Sequence, residues 1–165
     1  MRVYIPATLA MLQQLVADRT LDARSGTAFA VTPALRESYA EGDDDELAEV
    51  ARREAALASL RLLAGEGMAD LPPRRAVVEA EVDGATARPD LDDAVVRLPG
   101  PIAFDAVIAV YVDNADAETA VVAAMEVVDE ADLGDEDAEF TVGDAQDHDL
   151  AWYAPQELPF LLELL

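Results

Sequence analysis

Two stretches at opposite ends of the chain repeat one pattern, and they limit the fold more than any other feature. When Trp152–Leu164 is laid over Val3–Leu15, Tyr153 falls on Tyr4, Pro155 on Pro6, Leu158 on Leu9, Leu161 on Leu12 and Leu164 on Leu15. Each stretch opens with strand-forming residues, turns at a proline, and continues with leucines three residues apart. Leucines at that spacing line one side of a helix. Both ends therefore predict a short buried strand, a turn and an amphipathic helix. Thr8 suits the helix cap, its hydroxyl accepting from a free backbone N–H. With Glu157 in the place of Thr8, Pro159 falls in the first helical turn, where a missing N–H costs little.

Between the ends, Thr27–Val31 reads as a strand and Thr32-Pro33 as a cap with proline in the first turn of a short helix through Tyr39. Acidic residues at Glu41–Asp45 precede a long helix whose inner face is Leu47, Val50, Ala51, Leu57, Ala58 and Leu62, ending near Gly65-Glu66-Gly67. Ala76–Val82 alternates as a strand, and Asp83-Gly84 is a two-residue hairpin turn leading to a return strand at Ala85–Arg88. Val95–Leu98 follows. Val107–Val112 is apolar on both faces and predicts a central strand. Val121, Ala124, Met125 and Val128 mark another helix, and Glu139–Val142 reads as a short edge strand. The sum is one acidic α+β domain over residues 1–165, a mixed β-sheet with helices packed on it. The specific architecture it suggests is a ferredoxin-like two-layer sandwich with an inserted helical hairpin.

Composition narrows the function. Asp and Glu number 35 against 11 cations, all arginine, for a net charge of −24. Hydrophobic residues make up 52%, so this charge does not signal disorder. Such a surface repels nucleic-acid backbones and anionic membranes, and it attracts basic proteins. Cysteine is absent, which removes disulfides, thiolate metal sites and a cysteine nucleophile. No apolar run approaches the roughly 20 residues of a membrane helix. The expected location is the cytoplasm.

Residues able to carry chemistry are few. Asp135, Asp137, Glu139, Asp144 and His148 are the candidate metal ligands. Phe140 stands where an EF-hand needs its turn glycine, and one histidine without cysteine cannot complete the usual zinc sets. Weak divalent-cation binding is the most this run predicts, and no cofactor is expected. Ser25, Ser38 and Ser59 lack a nucleophile context, and no phosphate-cradling motif occurs. Arg88, Tyr111, Trp152 and Tyr153 sit at or near strand ends and are candidates for a pocket or an anion contact. Their plainer readings are a salt-bridged turn for Arg88 and packing for the aromatics. The reading is a non-enzymatic acidic binding or regulatory protein acting on a basic protein partner. The alternatives are a metal-dependent, carboxylate-rich enzyme around Asp135–Asp149 and a nucleic-acid-mimic inhibitor.

Several stretches also resemble a known group. Met1-Arg-Val-Tyr-Ile-Pro-Ala-Thr-Leu9, Gly26-Thr-Ala-Phe-Ala-Val-Thr-Pro-Ala-Leu35, Arg88-Pro-Asp-Leu-Asp-Asp-Ala-Val-Val96, Asp132–Phe140 and Trp152–Leu158 are similar to those of a family of small uncharacterised proteins from high-GC bacteria. The resemblance implies a cytoplasmic single-domain protein and attributes the missing lysine to genome composition. It implies no activity, cofactor or catalytic residue.

Overall fold

The computed structural model describes residues 1–66 and 70–165. Its elements run β1 (Arg2–Ala7), α1 (Leu9–Asp18), β2 (Thr20–Leu21), β3 (Thr27–Phe29), α2 (Pro33–Ser38), α3 (Asp44–Glu66) and β4 (Ala76–Glu81). Then come β5 (Thr86–Ala87), β6 (Val95–Arg97), β7 (Ile102–Ala103), β8 (Val107–Val112), α4 (Glu118–Asp132), α5 (Glu136–Gln146), β9 (Ala151–Tyr153) and α6 (Leu158–Glu163). Seven strands form one sheet in the order β5-β6-β3-β1-β4-β8-β9, and β2 pairs with β7 separately. The expected stop of α3 falls at Glu66, and Gly67 lies outside the described residues.

The α+β class with helices packed on a sheet is what the structure has. The sheet is not mixed, however: every ladder is antiparallel. Two local causes account for this. A strand, one helix and a second strand return the chain parallel, but α1 is followed by β2 and a further reversal through Ser25 and Gly26, both at positive φ. Between β8 and β9 two helices stand where the sequence suggested one, and three reversals in place of two leave β9 antiparallel to β8.

The second of those helices, α5, replaces the edge strand expected at Glu139–Val142. Phe140 and Val142 looked like strand alternation, but the inward face is Ala138, Val142 and Ala145, the i, i+4, i+7 set of a helix. Asp135 starts it by accepting from the Ala138 N–H at 2.9 Å.

Asp83-Gly84 turns the chain, with Gly84 at φ 83°, but it makes no hairpin. β5 pairs with β6, with Thr86 opposite Arg97, four strand spacings away from β4. In a flat sheet four spacings of ~4.8 Å come to about 19 Å. The five steps from Glu81 to Thr86 reach at most about 18 Å. The sheet therefore has to curl, and the residues on its inner side close into one apolar cluster with Val3, Ile5, Val78, Val96, Val110 and Val112.

Helices cover both faces, so the two-layer sandwich gives way to three layers. α1 and α6 fill the curled face with Leu9, Leu12, Leu15, Leu158 and Leu161. α2 and α3 cover the other, where Leu35, Leu47 and Ala51 meet Tyr4, Phe29 and Val77. The α4–α5 hairpin packs outside α3 through Leu60, Leu63, Val121, Val128 and Val142. In β1, Val3, Tyr4 and Ile5 are all buried, as a strand between two helical layers requires.

Ser59 of α3 joins two layers. Its hydroxyl donates to the Ala7 carbonyl at 2.7 Å and accepts from the Ala76 N–H at 3.0 Å, and Ala7 and Ala76 are paired ends of β1 and β4. Ser59→Ala leaves those buried groups short of a partner. Chemical denaturation should show a loss of about 1–3 kcal/mol, against little change for the exposed Ser25→Ala.

The terminal repeat is half real. α1 and α6 pack side by side on one face, with Leu9 and Leu158 buried alike, as are Leu12 and Leu161. Beyond them the match fails: Leu15 is buried and Leu164 is 85% exposed. Tyr4 packs under α3 while Tyr153 faces the α1–α6 side.

Candidate functional site

The α4–α5 hairpin is the most acidic surface of the protein. From Leu98 to Leu165 the chain has no lysine or arginine. α5 turns Ala138, Val142 and Ala145 inward, so Glu136, Phe140, Asp144 and Asp147 fall on its outer side at about 100° per residue. Phe140 is 75% exposed there, and Leu133 at the bend between the helices is 88% exposed. Arginines from elsewhere reach the hairpin at Arg61–Asp132 (2.9 Å) and Arg74–Glu118 (3.0 Å).

The metal candidates are spread along this hairpin rather than gathered. Asp135 spends its carboxylate on the α5 cap. Asp137 and Asp144 share a side of the helix but stand about 10 Å apart along it, and Glu139 points roughly the opposite way. His148 lies past the helix end. Among the described residues, no three His, Asp or Glu side chains are arranged to hold a metal ion.

Below the hairpin sits a buried ion pair. Arg75 directly precedes β4 and Asp113 directly follows β8, and the antiparallel register that sets Ala76 opposite Val112 brings them together. Both are almost fully buried. Asp113 Oδ2 accepts from the Arg75 N–H and Nε, and Oδ1 accepts from Nη2, each at 2.8 Å. Two further guanidinium N–H groups go to Gln146 Oε1 at 2.8 Å and the His148 carbonyl at 2.9 Å. One arginine thus ties two strand ends to the end of α5 and to the loop before β9.

Arg75 of that pair lies at a cavity of about 240 Å³ between α3 and the α5–β9 loop. Glu49, Arg52, Arg53 and Ala56 line it from α3, Tyr111 from β8, and Gln146, His148, Asp149 and Leu150 from the other wall. The Arg52 guanidinium lies 4.9 Å over the Tyr111 ring. Tyr111 donates its hydroxyl to Glu79 Oε1 at 2.8 Å, and Arg2 holds the other Glu79 oxygen at 2.6 Å. Burial first, then the hydrogen bond to Glu79 and that residue's charge, push the Tyr111 hydroxyl up to about 12. It stays protonated and committed to Glu79.

A model of a family of unknown function (DUF6912) matches residues 1–162. The chain belongs to that family. No curated protein and no solved structure matches it. In this DUF6912 chain, no described helix is long and apolar enough to cross a membrane.

The other sequence candidates separate in space. Trp152 stands across the ladder from Tyr111, on the same sheet face and 57% exposed, while Tyr153 turns to the other face. Arg88 belongs to the β5–β6 hairpin at the far edge of the sheet and is held by Asp90 at 2.8 Å. Of the aromatics singled out in sequence, Tyr111 lines the cavity. Sequence reasoning missed Arg52, Arg53, Arg75 and Asp113. The signal for the ion pair was present: opposite charges flank β4 and β8, one before and one after, which an antiparallel pairing superimposes.

Proposed function

We propose that this protein is a non-enzymatic binding protein of the cytoplasm that engages a basic protein partner through the outer face of the α4–α5 hairpin. The observation that carries the reading is the exposure of Phe140 and Leu133 among the carboxylates of that surface. Carboxylates alone serve solubility and steering. Apolar side chains set among them add the anchors that a protein interface needs and a solvated face does not. The apolar anchors also distinguish this reading from nucleic-acid mimicry, which asks for charge alone. A metal-dependent enzyme built on Asp135–Asp149 draws no support from side chains separated along a helix.

The test is affinity capture with the immobilised full chain at low salt, run beside Phe140→Ser and Leu133→Ser. We expect one basic protein on the wild type that is released as salt rises and lost on both variants. Both positions are exposed, so neither variant should unfold the protein. Equal retention on wild type and variants would contradict the reading. Displacement of the captured protein by double-stranded DNA would replace it with mimicry.

A further inference from the structure

We propose that the cavity between α3 and the α5–β9 loop binds a small zwitterion of the amino-acid class, its carboxylate on Arg52 and Arg53 and its ammonium facing Glu49 and Asp149. Among the described residues, two of the chain's cations are left without a carboxylate partner at this cavity. Seven arginines, Arg2, Arg19, Arg36, Arg61, Arg74, Arg75 and Arg88, lie within ion-pair distance of a carboxylate. In a chain with 35 acidic residues the others stand out. Arg52 and Arg53 are adjacent on one cavity wall, and among the described residues neither makes an ion pair, although Glu49 and Asp149 line the same space. Groups of both signs therefore face one small volume without neutralising each other.

The site is partly pre-organised. Arg52 is held over the Tyr111 ring, Gln146 Nε2 donates to the Arg53 carbonyl at 3.4 Å across the cavity, and among the described residues neither guanidinium donates to a protein acceptor. Arg75 supports the opposite wall by holding Gln146 and the His148 carbonyl, and Asp113 neutralises its charge. Ala56 and Leu150 supply a small apolar surface for a side chain.

Charge and size then choose the ligand. A cavity of about 240 Å³ lies below the roughly 300–1,000 Å³ of drug-sized sites, so the occupant is small. A plain anion must enter against the field of a protein carrying −24. A plain cation meets the two guanidiniums. A zwitterion has no net charge to oppose, and each of its ends meets groups of opposite sign. Paired with arginine, its carboxylate forms the stronger, charge-assisted kind of hydrogen bond.

Calorimetric titration of the full chain tests this, with the standard L-amino acids as probes and acetate, methylammonium and inorganic phosphate as half-ligands and competitor. We expect saturable, sub-millimolar binding of at least one amino acid and no comparable binding of any of the three small ions. Arg53→Gln should weaken it by ~10-fold or more, and Glu49→Gln with Asp149→Asn should also weaken it. Among the described residues the Arg53 guanidinium makes no ion pair, so its replacement should leave the unfolding midpoint unchanged, which shows that the variant is folded. Absence of amino-acid binding, phosphate or acetate binding of equal strength, or an affinity untouched by Arg53→Gln would each overturn the proposal. It stands apart from the partner reading, since neither Phe140 nor Leu133 lines this cavity.

Discussion

Asp113→Ala should destabilise the protein by about 3–5 kcal/mol, the cost of leaving a buried charge without its partner. Arg75 is 1% exposed and Asp113 0%, so solvent cannot replace what is lost. The substitution removes the acceptor of three Arg75 donors at once, including a backbone N–H. The unpaired guanidinium would then draw toward water and drag on Gln146 and the loop at His148. Urea unfolding of the variant should show a midpoint shifted far down with little change in slope. Replacing both partners, as Arg75→Met with Asp113→Leu, should recover much of the loss, because the expense lies in the orphaned charge rather than in a missing attraction. A single-variant loss under ~1 kcal/mol would mean that the pair is not buried as described.

Leu15→Ala and Leu164→Ala should differ sharply although the two leucines occupy matching places in the terminal repeat. Leu15 is fully buried between α1 and the curled sheet, and truncation there should cost about 2–5 kcal/mol through lost burial and the cavity left behind. Leu164 is 85% exposed at the end of α6, and its truncation should stay within about 0.5 kcal/mol. Denaturation of the two variants side by side measures this. Equal losses would show the terminal units to be structurally equivalent, which the fold denies.

Such contrasts show which parts of the molecule were legible in sequence. Val107–Val112 was readable as an inner strand because nearly every residue is apolar, and β8 is indeed paired on both edges by β4 and β9. Thr8 and Thr32 were readable as caps because capping is local, and both side chains accept from the N–H three residues on. What failed depended on distant partners. Asp83-Gly84 has hairpin chemistry, yet β5 finds a better partner in β6 across the sheet. Phe140 reads as a strand residue sharing a face with Val142 because a period of two and a helical spacing share the step from Ala138 to Val142. The cavity was the least legible feature. Arg52 and Arg53 look like the solvated side of α3, where Arg53 is indeed exposed, and nothing nearby in sequence announces that the α5–β9 loop forms a wall beside them. Arg88, in contrast, offered a mixed-sign turn and is a salt-bridged turn.

The partner reading is tested most directly by hydrogen–deuterium exchange of the full chain with and without the captured basic protein. Protection should appear across α4 and α5, centred on Leu133 to Asp147, and should be absent from the Arg88–Ala94 loop at the opposite edge. Protection elsewhere, with exchange in the hairpin unchanged, would contradict it.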